Sequence, residues 1–120
     1  MTDKIVFFGA SVTEQSISKD GEIKGYVPKV KRLFKTYSSD IEVVQLGYGS
    51  TSFDSVGFLF LEKVLKHKPD IVVLEWHTTW QARFDTVRYA TVIDTLLSKN
   101  IKVVNLILPR KECISPERDC

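Results

Sequence analysis

Three short stretches hold most of the residues in this chain that could do chemistry. Gly9-Ala10-Ser11-Val12-Thr13-Glu14-Gln15-Ser16 brings hydroxyls directly after an apolar run, and Gly47-Tyr48-Gly49-Ser50-Thr51-Ser52 brings flexible backbone amides and more hydroxyls. His77-Thr78-Thr79-Trp80-Gln81 adds an imidazole and an indole. Ser11 at a strand end can face a cleft and become a nucleophile if a neighbouring base takes its proton. It can equally cap the turn that follows the strand, a position serine favours for its hydrogen bonding alone. Gly47 and Gly49 can aim backbone N–H groups at an anion or a developing oxyanion, or simply permit a tight turn before a Ser or Thr cap. His77 can serve as a base if Ser11 lies within hydrogen-bond reach and a third group orients the ring; otherwise it is a loop histidine bonded to backbone.

Four apolar runs must position these stretches: Lys4 to Phe8, Ile41 to Leu46, Ile71 to Trp76, and Ile101 to Leu108. They are β-branched and nearly continuous, which is how strands covered on both faces of a parallel sheet read. Three helical patterns lie between them. The first covers about Val27 to Tyr37, with Tyr26, Val30, Leu33, Phe34 and Tyr37 on one face and Pro28 near the start. The second begins at Phe53 or Asp54 and ends at Lys66-His67-Lys68, with Pro69 as the stop. The third starts at Asp85 as N-cap, carries Tyr89, Ile93, Leu96 and Leu97 on a shared face, and ends near Asn100. The order β-α-β-α-β-α-β predicts an α/β fold, a three-layer α/β/α sandwich of the flavodoxin-like kind. Ligands of such sheets bind outside the carboxyl ends of the strands, where all three polar stretches fall. Trp76 and Trp80 read as core and rim packing.

The chain of 120 residues fits one domain, residues 1–120. Its 43% hydrophobic and 27% charged residues describe an ordinary globular protein and exclude disordered and low-complexity classes. A net charge of +2 spread along the sequence gives no nucleic-acid partner. The apolar stretch Ile5 to Phe8 is far too short for a signal-peptide core or a membrane span, so an intracellular, cytoplasmic protein with no membrane partner is expected. Both cysteines, Cys113 and Cys120, fall in the last eight residues, and neither a disulfide framework nor a zinc site is expected from them. No dinucleotide fingerprint or phosphate loop occurs, and neither cofactor nor metal is expected.

Phe7-Phe8-Gly9-Ala10-Ser11-Val12-Thr13 resembles the opening block of the SGNH (GDSL-like) hydrolases, whose Gly-Asp-Ser motif supplies a nucleophilic serine; here Ala10 replaces the Asp. Gln45 to Thr51 looks like the second block, whose glycine N–H helps to form the oxyanion hole. Alignment puts Ser50 on that glycine and Gly49 beside it. The third block, Gly-x-Asn-Asp in the family, corresponds to His77-Thr78-Thr79-Trp80, with Thr79 nearest the Asn. The family's catalytic Asp-x-x-His, which follows a fifth strand, has no counterpart among these residues.

The resemblance implies a sheet of order 2-1-3-4 lacking the fifth strand. It implies a serine esterase or acyltransferase for a small or carbohydrate-linked acyl ester, with Ser11 and His77 catalytic and Gly49, Ser50 and Thr79 around the oxyanion. It further implies either the N-terminal part of a longer protein or a shortened relative. The alternative is a non-catalytic module that binds a small anion or glycan at the same edge. Without a fifth strand, Ile101 to Leu108 forms a sheet edge, and coverage by the C-terminal tail or by a second copy in a homodimer is expected.

Overall fold

The structure, a computed structural model, describes residues 3–10, 13, 25–37, 40–48, 53, 57–76 and 85–107. Four parallel strands, β1 (Asp3–Gly9), β2 (Ile41–Gly47), β3 (Ile71–Glu75) and β4 (Lys102–Asn105), form one sheet in the order β2-β1-β3-β4. The register sets Gly9 beside Gly47 on one side and beside Glu75 on the other. Three helices connect them: α1 (Tyr26–Tyr37), α2 (Leu61–Lys66) and α3 (Thr86–Ser98). None of the helices among the described residues is long and apolar enough to cross a membrane.

The alternation of side chains along each strand divides the core in two. Ile5, Phe7 and Val73 face α1, where they meet Val27, Val30 and Phe34. Val6, Phe8, Val72 and Leu74 face the other way, onto Val64 of α2 and Tyr89, Val92 and Leu96 of α3. The chain steps one way from β1 to β2 and the other way from β2 through β3 to β4. Right-handed crossovers therefore place α1 on one face and α2 and α3 on the opposite one. This is the expected three-layer sandwich.

The helices depart from their sequence patterns in three places. In α1 the buried residue is Val27, while Leu33 is 57% exposed; in α3 Val92 is buried together with Tyr89 and Leu96, while Leu97 is 54% exposed. The second pattern is regular helix only from Leu61 to Lys66, although it ends as expected, with Lys68 at a φ of 50° and Pro69 after it. Upstream, the Phe58 N–H donates to the Phe53 carbonyl at 2.9 Å, a span of five residues that is wider than an α turn. Aromatic packing sets that geometry. Phe53 is fully buried and meets Phe58, Trp76 and Tyr89 edge to face, with centroids 6.4, 6.1 and 5.0 Å away. Gly57 lies so near Phe53 and Trp76 that a Cβ there would sit 2.7 Å from one ring and 2.9 Å from the other. The last strand is shorter than its apolar run, Lys102 to Asn105 instead of Ile101 to Leu108.

Asp85 caps α3 as expected. Its carboxylate accepts from the N–H groups of Val87 at 2.9 Å and Arg88 at 3.1 Å, two of the orphan donors of the first turn. At the far end Asn100, with a φ of 60°, turns the chain into β4.

Candidate functional site

The strand order reverses between β1 and β3, and in open parallel sheets that switch point is where ligands bind. The chain builds a buried polar cluster there. Glu75, the last residue of β3, is fully buried, a rare state for a carboxylate and a costly one without partners. Its side chain follows Val73 onto the α1 side of the sheet, next to Gly9 of β1. Gly9 makes the room: a Cβ at that position would lie 2.5 Å from Thr13 Oγ1, 2.6 Å from the Glu75 carbonyl oxygen and 2.8 Å from Glu75 Cβ.

Three donors converge on one carboxylate oxygen. Glu75 Oε1 accepts from Ala10 N at 3.2 Å, Thr13 N at 3.1 Å and Thr13 Oγ1 at 2.8 Å. The Thr13 N–H is shared with the Ala10 carbonyl at 3.1 Å, and the Ala10 N–H with the Glu75 carbonyl at 3.4 Å. The carboxylate thus grips the chain on both sides of the Ser11-Val12 dipeptide. With the single Thr13 hydroxyl proton given to Glu75, the Tyr26 hydroxyl must be the donor in its 2.7 Å bond to Thr13 Oγ1. Burial, opposed by the bond to Thr13 and reinforced by the Glu75 charge, pushes the Tyr26 phenol up from 10.0 to about 12. Gln45 Nε2 closes the cluster from β2, donating to the Thr13 carbonyl at 2.6 Å.

The opposite side of the switch point is aromatic. Trp76, fully buried, meets Phe8 edge to face at 5.3 Å, and Tyr48 bridges Phe8 and Phe60 at 6.2 and 5.0 Å. Ala10 is 2% exposed and belongs to this cluster. Tyr89 donates to Asn105 Oδ1 of β4, and burial first, then the Glu75 charge, raises its phenol well above the usual range.

Three solved structures share this architecture. The acetyl xylan esterase AlAXEase is 27% identical, matched over 85% of this chain and 56% of its own with a TM-score of 0.65. AlinE4, an SGNH-hydrolase family esterase, is 14% identical over 98% of this chain and 65% of its own, with a TM-score of 0.74. The chain has the SGNH-hydrolase fold. A lipase/acylhydrolase from Enterococcus faecalis, 19% identical, matches 91% of this chain and 58% of its own at a TM-score of 0.61. The chain therefore spans 56 to 65% of the length of these SGNH-fold structures. No family model matches the chain, and no curated protein does.

Of the residues that sequence reasoning assigned to the SGNH site, Ser11, Gly49, Ser50, His77 and Thr79 lie outside the described residues, as does Trp80. Their flanking residues do not. Gly9 and Ala10 precede Ser11, Gly47 and Tyr48 precede Gly49, and Trp76 precedes His77. The Tyr48 N–H donates to the Gly9 carbonyl at 2.9 Å, so Gly9-Ala10 and Gly47-Tyr48, the described starts of the first two stretches, lie side by side. Sequence reasoning missed Glu75, Thr13, Tyr26 and Gln45 as members of one network. For Glu75 the signal was present: it is the single polar residue inside the run Ile71 to Trp76, which otherwise reads as buried on both faces, and a buried polar group needs named partners.

Proposed function

We propose that the chain acts on a small or carbohydrate-linked acyl ester, with Ser11 as nucleophile. The anchored turn at the end of β1 supports this most directly. Ala10 and Thr13, on either side of Ser11 and Val12 in the sequence, are held by one buried carboxylate at the reversal of strand order. Fixing the backbone around a nucleophile is what positioning for acyl transfer requires. The likeness to an acetyl xylan esterase favours an acetylated carbohydrate as the substrate class.

In this reading the Ser11 hydroxyl attacks the acyl carbon while His77 takes its proton. The bond from serine oxygen to acyl carbon forms, the bond from acyl carbon to the leaving alcohol breaks, and the proton passes to that alcohol. Water, or a second alcohol in acyl transfer, then repeats the sequence in reverse to free the serine. The Ser11 N–H, the N–H of Gly49 or Ser50, and the Thr79 hydroxyl donate to the oxyanion. No Asp-x-x-His occurs in the 120 residues, so turnover is expected to be slow, because loss of one triad member removes most of the rate of such a site.

The test is release of acetate from acetylated xylo-oligosaccharide and from p-nitrophenyl acetate by the chain, with Ser11→Ala and His77→Ala beside it. Turnover abolished by both substitutions, with circular dichroism unchanged, supports both roles. Turnover indifferent to Ser11→Ala overturns the assignment, and saturable binding of the oligosaccharide with no acetate release favours the non-catalytic module instead.

A further inference from the structure

We infer that Glu75 is a positioning residue that sets the reactivity of Ser11 by clamping the backbone on both sides of it, with Thr13 and Tyr26 completing the clamp; this rests on the reading of Ser11 as nucleophile. A fully buried carboxylate is costly to desolvate, and the fold retains one at the end of a central strand. A hydrophobic residue there would cost nothing of the kind. What the carboxylate provides is geometric. Its Oε1 binds two backbone amides three positions apart in the chain, and no apolar side chain can do that.

The surroundings fit this role. Thr13 binds Glu75 twice, through its amide and its hydroxyl. The hydroxyl is itself oriented by Tyr26 of α1, and the Thr13 carbonyl by Gln45 of β2. Residue 13 is thereby tied to β3, α1 and β2 at once, while residue 10 is tied to β3 through both its amide contacts. The space a Cβ at position 9 would need is already taken by Thr13 Oγ1 and Glu75, so the bare backbone of Gly9 is what lets these side chains meet. Misplacement of a nucleophile by about 1 Å costs on the order of a hundredfold in rate, and anchors at residues 10 and 13 act on that scale.

The experiment compares the chain with Glu75→Gln, Thr13→Val and Thr13→Ser. A fluorophosphonate probe, with mass spectrometry to locate the adduct, reads the rate of modification at Ser11, and residue-resolved hydrogen exchange reads the amides of Ala10 and Thr13. Glu75→Gln keeps the shape but weakens the acceptor, and Thr13→Val removes only the hydroxyl. Both are expected to slow Ser11 modification by about tenfold to a hundredfold. Both should also raise exchange at Ala10 and Thr13, with the β1 amides of Val6 and Phe8 unchanged, and Thr13→Ser is expected to return both readouts to near the original.

Should Glu75→Gln fail to fold, Thr13→Val and its serine counterpart carry the comparison. An unaltered modification rate in a folded Glu75→Gln or Thr13→Val variant overturns the inference, and so does unaltered exchange at Ala10 and Thr13. If the unsubstituted chain takes no label at Ser11, the esterase reading fails and the inference about reactivity fails with it. The exchange data then report the clamp alone.

Discussion

Gly9→Ala tests the geometry at the switch point with a single methyl group. Gly9 does not have a left-handed φ, so alanine fits its backbone, and the loss of glycine's freedom in the unfolded chain favours the variant by about 0.4–1 kcal/mol. Against this stand the three contacts of the new Cβ, all far inside van der Waals distance: 2.5 Å to Thr13 Oγ1, 2.6 Å to the Glu75 carbonyl oxygen and 2.8 Å to Glu75 Cβ. Overpacking costs about 1–3 kcal/mol where side chains can shift, and here one contact is a backbone oxygen fixed by the β1–β3 pairing. The upper end of that range applies. The net destabilisation is about 2 kcal/mol, which for a chain of this size lowers the thermal midpoint by roughly 8 °C.

Urea unfolding followed by far-ultraviolet circular dichroism checks it, with a midpoint lowered by about 1 M at constant slope as the expected result. Repeating the substitution in a Thr13→Ala background separates the two kinds of contact. The hydroxyl clash disappears and the backbone clash stays, so Gly9→Ala should remain destabilising by about 1 kcal/mol there. An unchanged or raised midpoint for the single variant would refute the packing argument; a neutral effect confined to the Thr13→Ala background would show that the backbone contact relaxes without cost.

The phenols of Tyr26 and Tyr89 should titrate late. Because the Tyr26 phenol is raised from 10.0 to about 12 in the folded chain, the stability it contributes is complete below pH 10 and is lost as the pH rises from 10 through about 12. Ultraviolet phenolate absorbance should therefore show Tyr26 ionising only near pH 12 and Tyr89 well above the usual range, together with loss of structure, and their full ionisation in a folded chain near pH 10 would contradict their burial. At the other side of the sheet, β4 pairs only with β3 among the described residues, and Val104 and Ile107 are 49% and 62% exposed. Light scattering after size exclusion is expected to show either a homodimer that Val104→Lys converts to monomer, since a lysine on an edge strand opposes pairing, or a monomer whose amides from Val103 to Ile107 are protected by the C-terminal tail; a strict monomer in which those amides exchange fast would count against coverage of this edge.

The sheet was legible because the physics behind it is local. Strands of a parallel sheet are apolar almost throughout, and the four runs say so without reference to one another; burial on both faces holds for β1 and β3, while β2 is half-buried and β4 is mostly exposed. The cap at Asp85 is legible for the same reason, since one carboxylate satisfies donors two and three residues away. The helix faces were legible only to within one residue. An apolar stripe roughly 100° wide has flanks where an aliphatic side chain can lie in or out, and Leu33 and Leu97 fell outside while Val27 and Val92 fell inside. The second pattern becomes regular helix later than expected because Phe53, Phe58 and Phe60, spaced five and two residues apart, pack as an aromatic cluster around Trp76 and Tyr48. The Glu75 network was not legible as a network. Its members come from β1's end, α1, β2 and β3, and only the strand order brings them together.

That order also explains the residue that departs from the SGNH pattern. Ala10 stands where the family motif has Asp, and its side chain lies on the aromatic side of the sheet, 2% exposed among Phe8, Trp76 and their neighbours. Its amide, in contrast, is held by Glu75 on the other side. Restoring the motif with Ala10→Asp would place a carboxyl group in this apolar cluster, close to a carboxylate that is already buried. The expected cost is about 3 kcal/mol or more at neutral pH, because neither charge could be hydrated and the new one would take its place near a like charge.

The sign of the pH dependence follows. Burial and repulsion raise the new carboxyl above its unfolded value of about 4, so the variant is least penalised below that pH and loses stability as the pH rises through the raised value. Urea midpoints of Ala10→Asp and the unsubstituted chain should therefore converge near pH 4 and separate toward pH 7. Equal midpoints at pH 7 would mean that the position admits a carboxylate and that the alanine is not required by its surroundings. A gap that stays constant with pH would assign the cost to volume, not to charge.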